Sequence, residues 1–159
     1  MPITKDEFKQ ALSLWASGVT AITYQSKSKS GGVTVSSFSS LSLDPPLVLF
    51  CLQSGSGAKD AILEADCFAV NILSSKQKQI SADFASGSLD KAVVLENLKP
   101  IQLKTGAPLL PDCLVSLDCK LESVVEKGDH CIVIGLVEAQ ITKEDAPLLY
   151  FHRNYRELT

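Results

Sequence analysis

The feature that most limits the fold is a hairpin written into residues 113–141. Cys113, Val115, Leu117, Cys119 and Leu121 alternate with Ser116, Asp118, Lys120 and Glu122, which is the period-two pattern of a strand with one dry and one wet face. Glu126 to Asp129 turns the chain, with Gly128 and Asp129 supplying the turn chemistry. His130-Cys131-Ile132-Val133-Ile134-Gly135 then returns as a more apolar strand that runs to Ile141. Two long strands of this kind near the end of a chain point to a small antiparallel barrel.

The rest of the chain agrees. Thr4-Lys5-Asp6-Glu7 has the form of a capping box, and Phe8, Ala11, Leu12 and Trp15 follow at helical spacing to about Ala16. Gly18 ends that helix. Strands are expected at Val19–Tyr24, Gly32–Phe38, Leu47–Leu52, Cys67–Leu73 and Pro147–Phe151, and short helices at Ala58–Ala65 and Gln77–Phe84. Gln25 to Gly32 reads as an exposed hairpin loop, and Asp44-Pro45-Pro46 as a break that neither a helix nor a central strand can cross. Ala85 to Leu98 reads mainly as surface connection with room for one helical turn. The total is six or seven strands with few helices and no strand-to-helix alternation. A doubly wound sheet is therefore excluded, and no GxGxxG is present.

With 159 residues the chain is expected to form one domain, 1–159, large enough for a real core. A net charge of −3 argues against nucleic acid as a partner, because no basic stripe exists to neutralise phosphates. No apolar run is long enough to span a membrane, and Met1 to Gln10 lacks a signal-peptide core, so a cytoplasmic location is expected. The five cysteines, Cys51, Cys67, Cys113, Cys119 and Cys131, form no CxxC or CxxH pair. Their spacing supports neither zinc nor a disulfide framework, and they read as small buried hydrophobes.

Four segments could carry chemistry. Thr34-Val35-Ser36-Ser37-Phe38-Ser39-Ser40 packs five hydroxyls into seven positions. Together with free amides at a strand end, these suit the polar edge of a heteroaromatic ring or a phosphate; the plain alternative is a serine-rich exit from a strand. Gln53-Ser54-Gly55-Ser56-Gly57-Ala58-Lys59 sets two glycines, two serines and a lysine before a helix start, which is either an anion site or a flexible turn. It is not a Walker A loop. Pro147-Leu148-Leu149-Tyr150-Phe151-His152-Arg153-Asn154-Tyr155-Arg156 mixes aromatic rings with basic groups. It reads equally as a stacking and anion-pairing surface or as a strand that seals the barrel with an exposed basic tip. His152 has no evident partner. Gly128-Asp129-His130 places a histidine at the rim of a sheet, where a ligand can reach it, although by itself a hairpin histidine is more often a solvated turn residue.

TVSSFSSLSLDPPLVLFCL, FAVNIL, GDHCIVIG and PLLYFHRNYREL, in that order and spacing, resemble the flavin-reductase domain of the FMN-binding split-barrel superfamily. The resemblance runs from about Phe8 to Leu158. It implies a mainly β fold, a six-stranded antiparallel Greek-key split barrel with a few flanking helices, and a homodimer with flavin near the subunit interface. It implies an NAD(P)H-dependent flavin reductase that binds FMN or FAD and supplies reduced flavin to a monooxygenase component or another acceptor. A flavin-binding electron-transfer or sensor protein is the alternative on the same fold. Carried onto this chain, Thr34, Val35, Ser36, Ser37 and Ser40 would line the isoalloxazine ring. Cys51, Gln53, Ser54, Ser56, Gly57 and Lys59 would hold the ribityl chain and phosphate, with Asn71 and Phe84 near the flavin. His130 would position the nicotinamide, with Tyr150, Phe151, Arg153 and Tyr155 shaping that side. The family usually carries Asn where this chain has Ser36, which shifts the contact there toward the backbone. No acid–base triad is implied, because a flavin carries the hydride chemistry itself.

Overall fold

A computed structural model describes residues 2–159. The chain opens with helix α1 (Lys5–Leu12), started by the expected capping box: Thr4 Oγ1 accepts from the Glu7 amide at 3.2 Å, and the Thr4 amide donates to Glu7 Oε2 at 2.8 Å. It ends four residues earlier than the apolar spacing suggests. The Leu14 and Trp15 amides bond to carbonyls three residues back, which tightens and closes the last turn.

Seven strands then form one antiparallel sheet. They are β2 (Thr20–Gln25), β3 (Ser30–Val35), β4 (Ser39–Leu43), β5 (Pro46–Gln53), β6 (Cys67–Ile72), β7 (Val115–Lys127) and β8 (His130–Thr142), in the spatial order β3-β2-β6-β7-β8-β5-β4. The edge strands β3 and β4 are not hydrogen-bonded to each other, so the barrel is split. Residues 36–38 bridge that gap. A second small sheet joins β1 (Ser17–Gly18), β9 (Leu149–Phe151) and β10 (Asn154–Arg156) in the order β1-β9-β10. The C-terminal strand therefore does not seal the barrel; it pairs with the chain just after α1. The larger sheet has one strand more than the implied six. The extra one, β4, lies beyond Phe38, where the serine-rich run hid a strand that turns back through Asp44-Pro45 onto β5.

The barrel interior follows from alternation. Ile22 and Tyr24 of β2, Phe50 and Leu52 of β5, Phe68 and Val70 of β6, and Cys131 and Val133 of β8 form one buried cluster, closed by Ala58, Ala61 and Ile62 of helix α2 (Gly57–Ala65). Phe50 and Phe68 meet edge to face at 5.1 Å. Gly135 faces them: a Cβ there would stand 2.3 Å from Phe68 Cζ. Helices α3 (Lys78–Ala85) and α4 (Lys91–Asn97) cover the outer side of β3, where the Phe84 ring lies over Gly32. The region 85–98 is thus more ordered than its polar composition indicates. Asp90 caps α4 by accepting from the Ala92 amide at 2.9 Å. Among the described residues, no helix is long and apolar enough to cross a membrane.

The wet face expected on β7 is dry at its start. Ser116 and Asp118 are buried, and a bulge between Asp118 and Cys119 resets the alternation. The connection between α4 and β7 lies over them. Asp118 accepts from the Lys104 and Thr105 amides at 2.7 and 3.0 Å, and Ser116 Oγ donates to Leu110 O at 3.1 Å. Cys113 precedes the strand and packs in a second cluster with Phe84 and Leu148.

Replacing Gly135 by Ala should lower stability by about 1–3 kcal/mol, the usual cost of overpacking. Urea unfolding measures it, and an unchanged midpoint would mean that the Phe68 ring can step aside.

Candidate active site

The strand ends assemble the candidate residues into a band across the split. Thr34 and Val35 finish β3, and the Thr34 hydroxyl donates to Ser81 O at 2.7 Å. The Ser81 hydroxyl in turn bonds to the Tyr155 phenol at 2.7 Å. Val19, Thr34, Val35, Ser36, Ser81, Ala85, Tyr150 and Tyr155 enclose a cavity of about 210 Å³. The rings of Tyr150 and Tyr155 meet edge to face at 5.7 Å. The Ser36 side chain is exposed at the mouth, while the Ser37 hydroxyl is used in the fold. Ser37 accepts from the Cys51 amide at 2.9 Å and donates to the Cys51 carbonyl at 3.3 Å, satisfying β5 where the β4 ladder stops.

From Cys51 the band continues into the Ser54–Lys59 loop. Ser56 caps α2 by accepting from the Ala58 amide at 3.2 Å, so the positive end of the helix faces this loop. The Lys59 ammonium, with 17% of its side chain exposed, pairs with Glu126 at 2.7 Å. That contact raises the lysine above its ordinary value and holds the Glu126 carboxyl below the usual carboxylate range, helped by a hydrogen bond from Ser54. Sequence reasoning did not find Lys29. Its ammonium, carried on the β2–β3 turn, lies 2.2 Å from where a Cβ on Gly57 would stand, so it overhangs the same loop. A lysine in a polar hairpin gives no signal of its own. Glu126, read only as a turn residue, was missed for the same reason.

His130 joins the band through the sheet. It is the register partner of Gln53, and the Ser54 amide donates to the Asp129 carbonyl at 3.0 Å. The imidazole bonds through Nδ1 to the Asp129 carboxylate at 2.7 Å, and its side chain is 48% exposed. This bond, more than the charge of the imidazole or of Lys5, keeps the Asp129 carboxyl below its usual range. The resemblance groups His130 with the C-terminal aromatics on the nicotinamide side. Among the described residues, no hydrogen bond, ion pair or ring contact joins His130 to Tyr150, Phe151, Arg153 or Tyr155. His130 belongs to the loop end of the band, and Tyr150 and Tyr155 to the cavity end.

Arg153 and His152 form the tight turn between β9 and β10, both at positive φ, 62° and 50°. Two bulky residues in that region are strained. The His152 amide donates to Ser13 O at 2.8 Å, which pins the turn to the end of α1. Phe151 is half-buried with its ring edge-on to His152. Ser40 is exposed on β4, opposite Val48.

Asn71 and Phe84, expected near the flavin, are both buried. Asn71 is fully buried; its amide nitrogen donates to Ala21 O and Thr23 Oγ1, both at 2.9 Å, and its oxygen accepts from the Leu110 amide at 2.8 Å. Both amide hydrogens and one lone pair of the oxygen are thus engaged within the fold. Phe84 is 2% exposed and packs on Gly32 rather than lining the cavity.

A flavin needs a groove for a flat ring, donors at one ring edge and an anion site about a ribityl length away. The cavity beside Thr34–Ser36, the exposed strand exit and the cationic, helix-capped loop supply groups of those three kinds, so the residues fit the cofactor. The family model of the flavin reductase like domain matches residues 12–159, and the chain belongs to that family. It is 35% identical to the reductase component of 4-hydroxyphenylacetate 3-monooxygenase from Thermus thermophilus, covering 97% of each chain. It is 36% identical to the NADH-dependent FMN reductase AsuE2 of Streptomyces nodosus subsp. asukaensis, over 97% of this chain and 85% of that one. Among solved structures, flavin reductase PheA2 in its native state superimposes with a TM-score of 0.89 at 34% identity, covering 99% of both chains.

The cysteines have no free thiolate role in this arrangement. Burial pushes the Cys119 thiol up to about 12 and raises Cys67, Cys113 and Cys131, while Cys51 alone is only half-buried. A thiol reagent should therefore titrate one cysteine in the native protein and five after denaturation. Several fast-reacting thiols in the native state would contradict the packing.

Proposed function

We propose that the protein is an NAD(P)H-dependent flavin reductase that takes FMN, with FAD as the second choice, and passes reduced flavin to a monooxygenase component. The observation that carries the reading is the β5–β8 register. It sets His130 opposite Gln53, at the entrance of the Ser54–Lys59 loop and one strand from the Ser36–Ser37 exit. The names of the Thermus and Streptomyces relatives support the partner class and the FMN and NADH assignment.

When bound, flavin supplies the hydride-accepting ring. The chain supplies the rest. Lys59 and the start of α2 would hold the phosphate, and the exposed exit at Ser36 would offer donors to the polar edge of the ring. Tyr150 and Tyr155 close the cavity end against water. His130, held by Asp129, positions the nicotinamide by packing and hydrogen bonding rather than by proton transfer.

Stopped-flow bleaching of bound flavin with NADH and with NADPH tests the assignment. At least one should bleach it. Changing His130 to Ala should raise the nicotinamide KM about tenfold and leave flavin affinity within about threefold. Tight flavin binding with no bleaching by either nucleotide would make the protein an electron carrier or sensor instead.

The working form is a homodimer. All large apolar residues of α1 and its exit lie open in the single chain: Phe8, Leu12, Leu14 and Trp15 are 54%, 57%, 60% and 75% exposed. Leu41 and Leu43 on β4 are 47% and 93% exposed. A surface of this kind is normally covered by another subunit. Light scattering should give twice the chain mass of 17.1 kDa, and a stable monomer with full flavin affinity would exclude a shared site.

A further inference from the structure

The loop that offers the anion site already holds an anion. Glu126, near the end of β7, accepts from the Ser54 hydroxyl at 2.6 Å through Oε2 and pairs with the Lys59 ammonium at 2.7 Å through Oε1. Its two oxygens thus engage separately the two side chains that a phosphate would use. The exposures differ in a telling way: Lys59 is 17% exposed and Glu126 55%. The cation is anchored in the loop, and the carboxylate reaches in from the solvent side.

We propose that Glu126 is an internal stand-in for the flavin phosphate, which the phosphate must displace from Ser54 and Lys59, and that it sets how loosely the protein holds flavin. This rests on the reading of Ser54–Lys59 as the phosphate site. A phosphate that enters while Glu126 stays put meets a like charge at hydrogen-bond range. One that displaces Glu126 must first break two charge-assisted bonds. Either route weakens binding, and only for a flavin that carries phosphate. The monoester of FMN carries a charge of about −1.5 to −2 at neutral pH and competes well for Lys59. Riboflavin, which has no phosphate, has nothing to displace. A reductase tuned in this way releases its flavin as a product rather than retaining it as a prosthetic group.

The test measures equilibrium binding and release, not turnover. Fluorescence titration with FMN and with riboflavin is made on the wild type, on Glu126→Gln and on Lys59→Ala. Glu126→Gln keeps the side-chain size and an acceptor for Ser54 but removes the charge. It should tighten FMN by roughly three- to tenfold, leave riboflavin within about twofold, and slow FMN release by a similar factor. Lys59→Ala should weaken FMN and spare riboflavin. If Lys59→Ala acts selectively on FMN while Glu126→Gln leaves FMN unchanged or weaker, the stand-in is overturned and the phosphate site stands. If Glu126→Gln tightens both ligands equally, the effect is structural and the proposal fails. If Lys59→Ala does not distinguish FMN from riboflavin, the phosphate reading falls and the stand-in falls with it.

Discussion

The β7–β8 ladder is the constraint on which the rest of the molecule depends. Its register runs from Val115 opposite Thr142 to Lys127 opposite His130, and each strand has a further partner, β6 on one side and β5 on the other. The turn at Gly128, at φ 62°, sits where only a residue tolerant of the left-handed region fits without strain. Fixing that turn fixes His130 against Gln53. A slip of one residue would move Cys131 and Val133 out of the core, so burial of those two side chains enforces the register. Functional geometry at the rim is thus set by packing in the barrel interior.

A second set of contacts holds the outside of the sheet. Asn71, Thr23, Ser116 and Asp118 lie on faces that alternation alone would leave to water, and each is buried with at least one hydrogen bond to the 98–114 connection. Among the described residues, no buried side-chain polar atom lacks a partner. That full pairing is what allows a connection with little regular structure to cover the sheet without the cost of orphaned groups. Asn71 is tied into that network: turning its side chain away would strand the Leu110 amide.

Much of this was legible in the sequence, for identifiable reasons. The capping box at Thr4, the buried runs at Cys67–Ile72 and Pro46–Gln53, helix α2 and the long hairpin each obey one local rule strongly. What escaped depends on partners distant in sequence. Asp118 looked wet because a bulge and a remote loop are invisible to alternation. Strand β4 was hidden in a serine-rich run whose only structural signal is the β5 edge beside it. Strands β1 and β10 are two and three residues long and exist because β9 lies between them. The site residues themselves came from the family resemblance, not from any local rule: neither the serine-rich run nor the hairpin histidine announces a ligand on its own.

The electrostatics of the site follow from the separation of its cavity end from its loop end. The groups lining the cavity are neutral: Thr34 and Tyr155 linked through Ser81, Ser36 at the mouth, and Tyr150 edge-on to Tyr155. Formal charge gathers at the loop end, where Lys29, Lys59 and Glu126 surround the start of α2 and Asp129 holds His130, and again on the far side of Tyr150, at Arg153, Lys9 and Asp6. A flat ring can therefore be oriented by shape and neutral donors, with little competition from solvent ions, while a charged tail is steered to the other end. Orientation and retention of a ligand are then carried by different residues. On the function proposed above, substitutions at Glu126 and Lys59 would alter how long a flavin stays without disturbing the Thr34–Ser81–Tyr155 chain. That division follows from the split barrel itself, because its two edges are joined only by residues 36–38.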